Sequence, residues 1–270
     1  MKEKELKMKL EEVKKNNYNL KKDESYFKLS TIMMENIGAL DPELRDDLIY
    51  DIFCKWILEK RLTKEDLEFL LKLALDDSHL FYKLLEKEED AVYTRSFSML
   101  SIALIIYVHR EESFLKKEVV FEVKDKILDY MYKEEDLRGY VKERGWAHSM
   151  AHGADVLDEL ANCTCLVEKD LIEILYCIKE KMTTSSYVYI EEENERMVNA
   201  VESVLNRNLI REEAILNWLG DFQLQGNSHI EKLHSKVNTK SFLRSLYFRL
   251  IDTSEYEAIK VKIKNILKNF

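Results

Sequence analysis

Two of the six histidines in this 270-residue chain, His148 and His152, stand four residues apart in the run Gly145-Trp146-Ala147-His148-Ser149-Met150-Ala151-His152-Gly153-Ala154-Asp155. With His148 as origin on a helix, His152 falls at about 40°, Asp155 at about −20° and Glu159 at about 20°. These four form one narrow polar stripe of imidazole and carboxylate. Imidazoles at i and i+4 can reach a single metal ion, with Asp155 one turn beyond, so His148, His152 and Asp155 are a candidate metal triad. Alternatively, Asp155 accepts a hydrogen bond from His152 and fixes its tautomer. The stripe is then either a hydrogen-bonded packing device or the wall of a ligand groove. The zinc-protease signature is not met, because Ser149 rather than glutamate follows the first histidine.

The opposite face of the same helix carries Trp146, Met150, Gly153, Ala154, Leu157 and Leu160. Two faces this distinct predict a buried amphipathic helix, with Trp146 in the core and Gly153 admitting a close neighbour. No lysine or arginine lies between Arg144 and Lys169. The stripe therefore faces a cleft rather than open water, with at least one histidine partly exposed. On that reading, removing both histidines leaves folding nearly intact.

The elements that must position this stripe read as helices throughout. One proline and six glycines leave few breakers, and no stretch alternates with period two long enough to be a strand. Residues 1–22 read as a charged N-terminal helix, frayed or partly docked, and 23–270 as a single all-helical domain. Helices are expected at Ser25–Ile37, from Asp41-Pro42 to about Lys60, and from the Thr63 capping box to Leu75. More follow at Ser78–Lys87, Tyr93–Val108, Lys117–Met131, Val167–Met182, Tyr187–Arg207, Arg211–Phe222, Ser228–Val237, Thr239–Ile251 and Glu255–Leu267. Tyr93–Val108 is apolar nearly all round and should be central; its one charge, Arg95, needs a carboxylate, Asp136 or Asp155. Among the late aromatics, Trp218, Phe222, Phe242, Tyr247 and Phe248 read as core. Short loops and many helices predict an all-α fold of stacked helical hairpins, an α-α superhelix of HEAT or armadillo type, with a compact irregular bundle as the alternative.

Composition sets the outer bounds. Hydrophobic residues make up 46% of the chain, charged residues 34%, and the formal net charge is −9. An acidic chain is a poor general nucleic-acid binder. Four cysteines over this length are not a disulfide framework, and the Cys163/Cys165 pair reads as free thiols. The N-terminus lacks an apolar signal core, and Met99–Val108 is too short to span a bilayer. A soluble, cytoplasmic protein with no membrane partner is expected.

Four pieces carry a family likeness: Arg95-Ser96-Phe97-Ser98, Asp136-Leu137-Arg138-Gly139-Tyr140, the histidine run Gly145–Asp155, and Glu193-Asn194-Glu195-Arg196. In order and spacing the chain resembles the bacterial domain-of-unknown-function family 2785 over roughly residues 35–210, with a weaker likeness in the C-terminal part. The resemblance implies a helical fold and implies that the four pieces form one constellation; it implies no activity.

If the pieces converge, Arg95, Asp136, Arg138, Trp146, His148, His152, Asp155, Glu193 and Arg196 make either a buried polar network or a ligand site with arginines as bidentate donors. No complete catalytic signature is present: no nucleophile elbow, P-loop or dinucleotide fingerprint. The chain therefore reads as a binding module whose groove takes a peptide or small anionic ligand, with an unknown protein as the other kind of partner. No cofactor is expected on this reading. The alternative is a metal-dependent hydrolase, with a divalent ion on His148, His152 and Asp155 and with Glu159 or Glu193 as base.

Overall fold

The computed structural model describes residues 1–86 and 88–270. The fold is all-α. Twelve α-helices are present among the described residues: α1 (Glu3–Lys15), α2 (Tyr26–Glu35), α3 (Asp51–Leu58), α4 (Lys64–Ala74), α5 (Ala91–Glu112), α6 (Lys117–Lys133), α7 (Ser149–Ala161), α8 (Glu168–Met182), α9 (Glu193–Asn206), α10 (Glu212–Gly220), α11 (His229–Leu250) and α12 (Glu257–Asn269). A π-helical segment, Glu43–Tyr50, runs directly into α3. The only strands among the described residues are β1 (Tyr140–Val141) and β2 (Gly145–Trp146), which pair as an antiparallel hairpin.

Local chemistry sets several of these boundaries. Ser25 caps α2 by accepting the Lys28 amide. Thr63 and Asp66 form the expected capping box on α4, each accepting the other's amide. Asp41 Oδ1 accepts the Glu43 amide at 3.1 Å, so the chain turns into the helix at Asp41-Pro42 as its sequence indicates. Ser228 caps α11, which then runs unbroken to Leu250. The two helices expected at Ser228–Val237 and Thr239–Ile251 are therefore one, because Asn238 and Thr239 face inward and hydrogen-bond to the 182–187 segment instead of breaking the helix.

Neighbours in space alternate in sequence. Helix α5 packs on α7, α7 on α9 and α9 on α11, while α6 packs on α8 and α8 on α11. Consecutive helices also meet, α6 with α7, α7 with α8 and α8 with α9. At the centre, α5 is buried along almost its whole length. It extends further than the apolar run Met99–Val108 and is long and apolar enough to cross a membrane, yet 83% of its apolar window is buried inside the fold. Gly153 on α7 lies against Met131 of α6, where a β-carbon would meet the sulfur at 2.3 Å. The glycine leaves the space that the Met131 side chain fills between the two helices.

The charged N-terminal helix is docked rather than frayed. Leu6, Leu10 and Val13 of α1 join the main core, Lys7 pairs with Asp41 at 2.5 Å, and Trp56 Nε1 donates to Tyr18 O at 2.7 Å. Trp218, Phe222 and Phe242 are core, whereas Tyr247 is only partly buried and Phe248 is exposed, since both lie on the outer side of α11. Residues 78–85, expected to be helical, form successive turns; Lys87, the end of that expected helix, lies outside the described residues.

Candidate functional site

Helix α7 begins one residue after His148. His148 is its N-cap, held in the left-handed region at φ 48°. Trp146 precedes the helix on β2 and is 39% exposed, so the expectation that it lies in the core is overturned. The reason is the hairpin: β1 and β2 leave the helical path that the spacing assumed, and they carry Trp146 out to stand edge-on to Tyr140.

The histidine stripe nevertheless lines a cleft of about 450 Å³. The walls come from five elements: Asp46 and Tyr50 on the π-helical segment, Phe97 and Leu100 on α5, Trp146 on β2, His148, His152 and Asp155 along α7, and Arg196 on α9. Trp146 stacks on the His148 ring at 4.4 Å, and His152 meets Phe97 edge-on at 5.3 Å. Both histidines are buried, His148 at 7% and His152 at 5% exposure, so neither is open to the degree expected. The stripe has donors from other helices instead of water: Arg196 NH1 donates to Asp155 Oδ2 at 2.6 Å, and Arg110 Nε to Glu159 Oε2 at 2.5 Å.

Each imidazole faces a backbone carbonyl, which can only accept. His148 Nε2 therefore donates to Glu191 O at 3.2 Å and His152 Nδ1 to Ser96 O at 3.1 Å. These bonds assign the tautomers and leave the second nitrogen of each ring as an acceptor. Burial keeps both rings neutral, pushing His148 down to about 4 and His152 well below the usual histidine range. Burial also raises the Asp155 carboxyl to about 6, against the pull of Arg196, and the Asp46 carboxyl to about 6, against the pull of Arg45.

The other expected site residues separate from this cleft. Arg95, Asp136 and Arg138 line a second cavity of about 550 Å³. Arg95 does not pair with Asp136 or Asp155. It donates to both oxygens of Glu134, at 2.7 and 2.8 Å, and to Tyr82 O at 3.0 Å. Asp155 is held by Arg196, and Asp136 is held by Arg138 two residues on, at 2.6 Å. Glu134, the C-cap of α6, is the carboxylate left for Arg95. In the sequence it sits in a Lys-Glu-Glu-Asp run that reads as solvated charge. Glu193 lines neither cavity; it lies beneath His148, with Oε1 3.7 Å from His148 Nε2.

His148, His152 and Asp155 each bond a different partner, and among the described residues no three His, Cys, Asp or Glu side chains are arranged to hold a metal ion. The metal triad drawn from helical spacing therefore has no geometric support. Sequence reasoning missed Asp46, Tyr50, Phe97 and Leu100. Only Phe97 had a signal, its place in the Arg95–Ser98 piece. Asp46 and Tyr50 reach the cleft from the segment before α3, which is wound as π.

No curated protein and no solved structure matches the chain. A family described as "Protein of unknown function (DUF2785)" matches residues 80–248. The match takes in all four sequence pieces. It begins later than residue 35 and runs on past residue 210, through most of α11, which packs on α9. With more than half of its length covered by that match, the chain belongs to the DUF2785 family.

Proposed function

We propose that this protein is a binding module and that the cleft between α5, α7 and α9 receives a peptide or small ligand through an anionic group. One observation carries the reading. Around a single cavity stand an exposed tryptophan face and a guanidinium with spare donors. Arg196 uses NH1 on Asp155, while among the described residues its Nε and NH2 have no protein acceptor. That free edge suits a carboxylate or phosphate in bidentate fashion. Trp146, Tyr50 and Phe97 supply flat apolar surface for the rest of the ligand.

The backbone supports the same place. The π-helical segment and His148 at φ 48° both line the cleft. Such conformations carry a cost and cluster at functional sites. The four free thiols and the net charge of −9 favour a cytoplasmic setting without a nucleic-acid partner.

The test is a melting-temperature screen of the purified chain against dicarboxylates, phosphate esters and short peptides with free C-termini, repeated with Arg196→Gln. At least one of these anion classes should raise the wild-type melting point and quench or enhance Trp146 fluorescence, and Arg196→Gln should abolish both effects. A response that survives in Arg196→Gln, or no response from any of the three classes, overturns the reading.

A further inference from the structure

Glu191 and Glu193 bring two carboxyl groups into the interior directly beneath His148. Glu193, the first residue of α9, is 1% exposed, and its Oε2 accepts the Glu191 amide at 3.0 Å. Its Oε1 has no donor, and neither has Glu191 Oε2, although both atoms are sealed from solvent. Burial and the neighbouring Glu191 carboxyl hold the Glu193 carboxyl above its usual range. Both orphan oxygens also press on Gly139, where a β-carbon would meet them at 2.4 and 3.0 Å.

As two anions this arrangement is costly twice over, through desolvation and through mutual repulsion. A single proton removes both costs, because the O–H of one group then donates to the other. The surroundings offer no substitute. His148 spends its Nε2 proton on Glu191 O. The loop before β1 contributes Asp136, and the segment before α9 contributes Tyr187 and Tyr189. Helix α11 contributes Asn238, which is uncharged and accepts the Tyr189 amide. Among the described residues no lysine or arginine is in ion-pair range of either carboxyl group, and no third His, Cys, Asp or Glu completes a metal-holding set with them.

We propose that Glu191 and Glu193 hold one proton between them at neutral pH and so form a proton-operated latch on the cleft wall. The latch fixes the Glu191 carbonyl, the carbonyl fixes the His148 ring, and the ring carries the stacked Trp146. Loss of the proton sets two buried anions against each other, drives Glu191 outward and frees His148 and Trp146. The latch does not depend on the cleft having a ligand, and it is read in the free protein.

The sign follows from linkage. The unfolded chain releases both protons near the ordinary glutamate value of about 4.3, whereas burial and the neighbouring Glu191 hold Glu193 above its usual range. The folded state therefore keeps a proton that the unfolded state has lost, and stability falls as pH rises through the pair's last ionisation.

Infrared difference spectra of the full chain at neutral pH, wild type against Glu193→Gln, should show a protonated-carboxyl band that the variant lacks. Melting temperature followed from about pH 5 to about pH 9 should fall more steeply for the wild type than for Glu193→Gln, which carries a permanent donor. Trp146 fluorescence should change more over the same window in the wild type than in Glu193→Gln, where only Asp46 and Asp155 of the cleft titrate, with Trp146→Phe subtracting the other tryptophans. If Glu193→Gln does not fold, Glu191→Gln, at the less buried member, makes the same comparison. Absence of the band, or equal pH slopes, overturns the proposal. So does stabilisation by added Mn²⁺ or Ca²⁺ that the glutamine variant loses, since the pair would then be holding a cation.

Discussion

The cavity lined by Arg95 and the cleft lined by His148 are built from the same kinds of residue on adjoining elements, yet they differ in what is left over. At the first, Glu134 accepts four donors: two from Arg95, the Tyr130 hydroxyl and the Asp136 amide. Arg95 spends its remaining amino group on Tyr82 O. Arg95 and Glu134 are both fully engaged with each other and with protein groups, and the arrangement ties α5 to the end of α6. At the second, the Arg196 guanidinium has a free edge, each imidazole keeps an unused nitrogen, and an indole face is exposed. Saturated polar groups hold structure, and unsaturated ones at a cleft are available for recognition.

The largest effect should come from breaking the saturated centre. Arg95→Ala leaves Glu134 buried without its counter-charge and should cost about 3–5 kcal/mol, measured by urea unfolding. A paired Arg95→Met, Glu134→Leu replacement should recover much of that loss. A single mutant as stable as the parent would mean that the pair does not hold α5 to α6.

Next comes His152→Ala, which empties space beside Phe97 and should cost about 2–4 kcal/mol. Replacing both histidines should therefore cost more than the near-intact folding that a half-open stripe would allow. A double mutant that melts with the parent would show that the rings carry no packing load.

Trp146→Ala should cost less, about 1–2 kcal/mol, because the indole is only partly buried. A core tryptophan, as helical spacing had it, would cost about 3–5 kcal/mol, so calorimetry separates the two placements directly.

Acid should act on the cleft through His148. Its folded value of about 4 lies below its ordinary 6.5, so the unfolded chain binds the proton first. The stability from a neutral His148 is present above about 6.5 and is lost as pH falls toward about 4. Asp155 and Asp46, raised to about 6, act in the opposite sense. The measurement is therefore a difference in melting temperature between wild type and His148→Gln across that window. A difference that stays flat would mean that the ring is not held neutral.

The smallest stability change should be at Arg196, whose pair with Asp155 is partly exposed. Arg196→Gln should cost under about 1 kcal/mol while removing the anion response. A large loss of stability there would move Arg196 to the saturated side of the comparison.

Several features were legible in the residue order alone. Capping boxes at Thr63, the Asp41-Pro42 start and the all-round apolar α5 are local, because propensity and capping act within a few residues. The four pieces that place the chain in its family were legible for the same reason, as was the stripe of His148, His152 and Asp155, which does line one cleft. What the chain order could not decide were partners distant in sequence and departures from regular winding. Arg95 found Glu134 rather than Asp136 or Asp155 because three arginines and three carboxylates were sorted by packing, not by spacing. Trp146 left the core because two residues of strand pairing, invisible to helical periodicity, turned it outward. Asp46 and Tyr50 joined the cleft by packing of their segment against α5 and α7, and Glu191 stayed outside α9, expected to start at Tyr187, because Glu192 takes a left-handed conformation. Each of these outcomes depends on contacts between elements far apart in the chain, and those contacts exist only once the helices have packed.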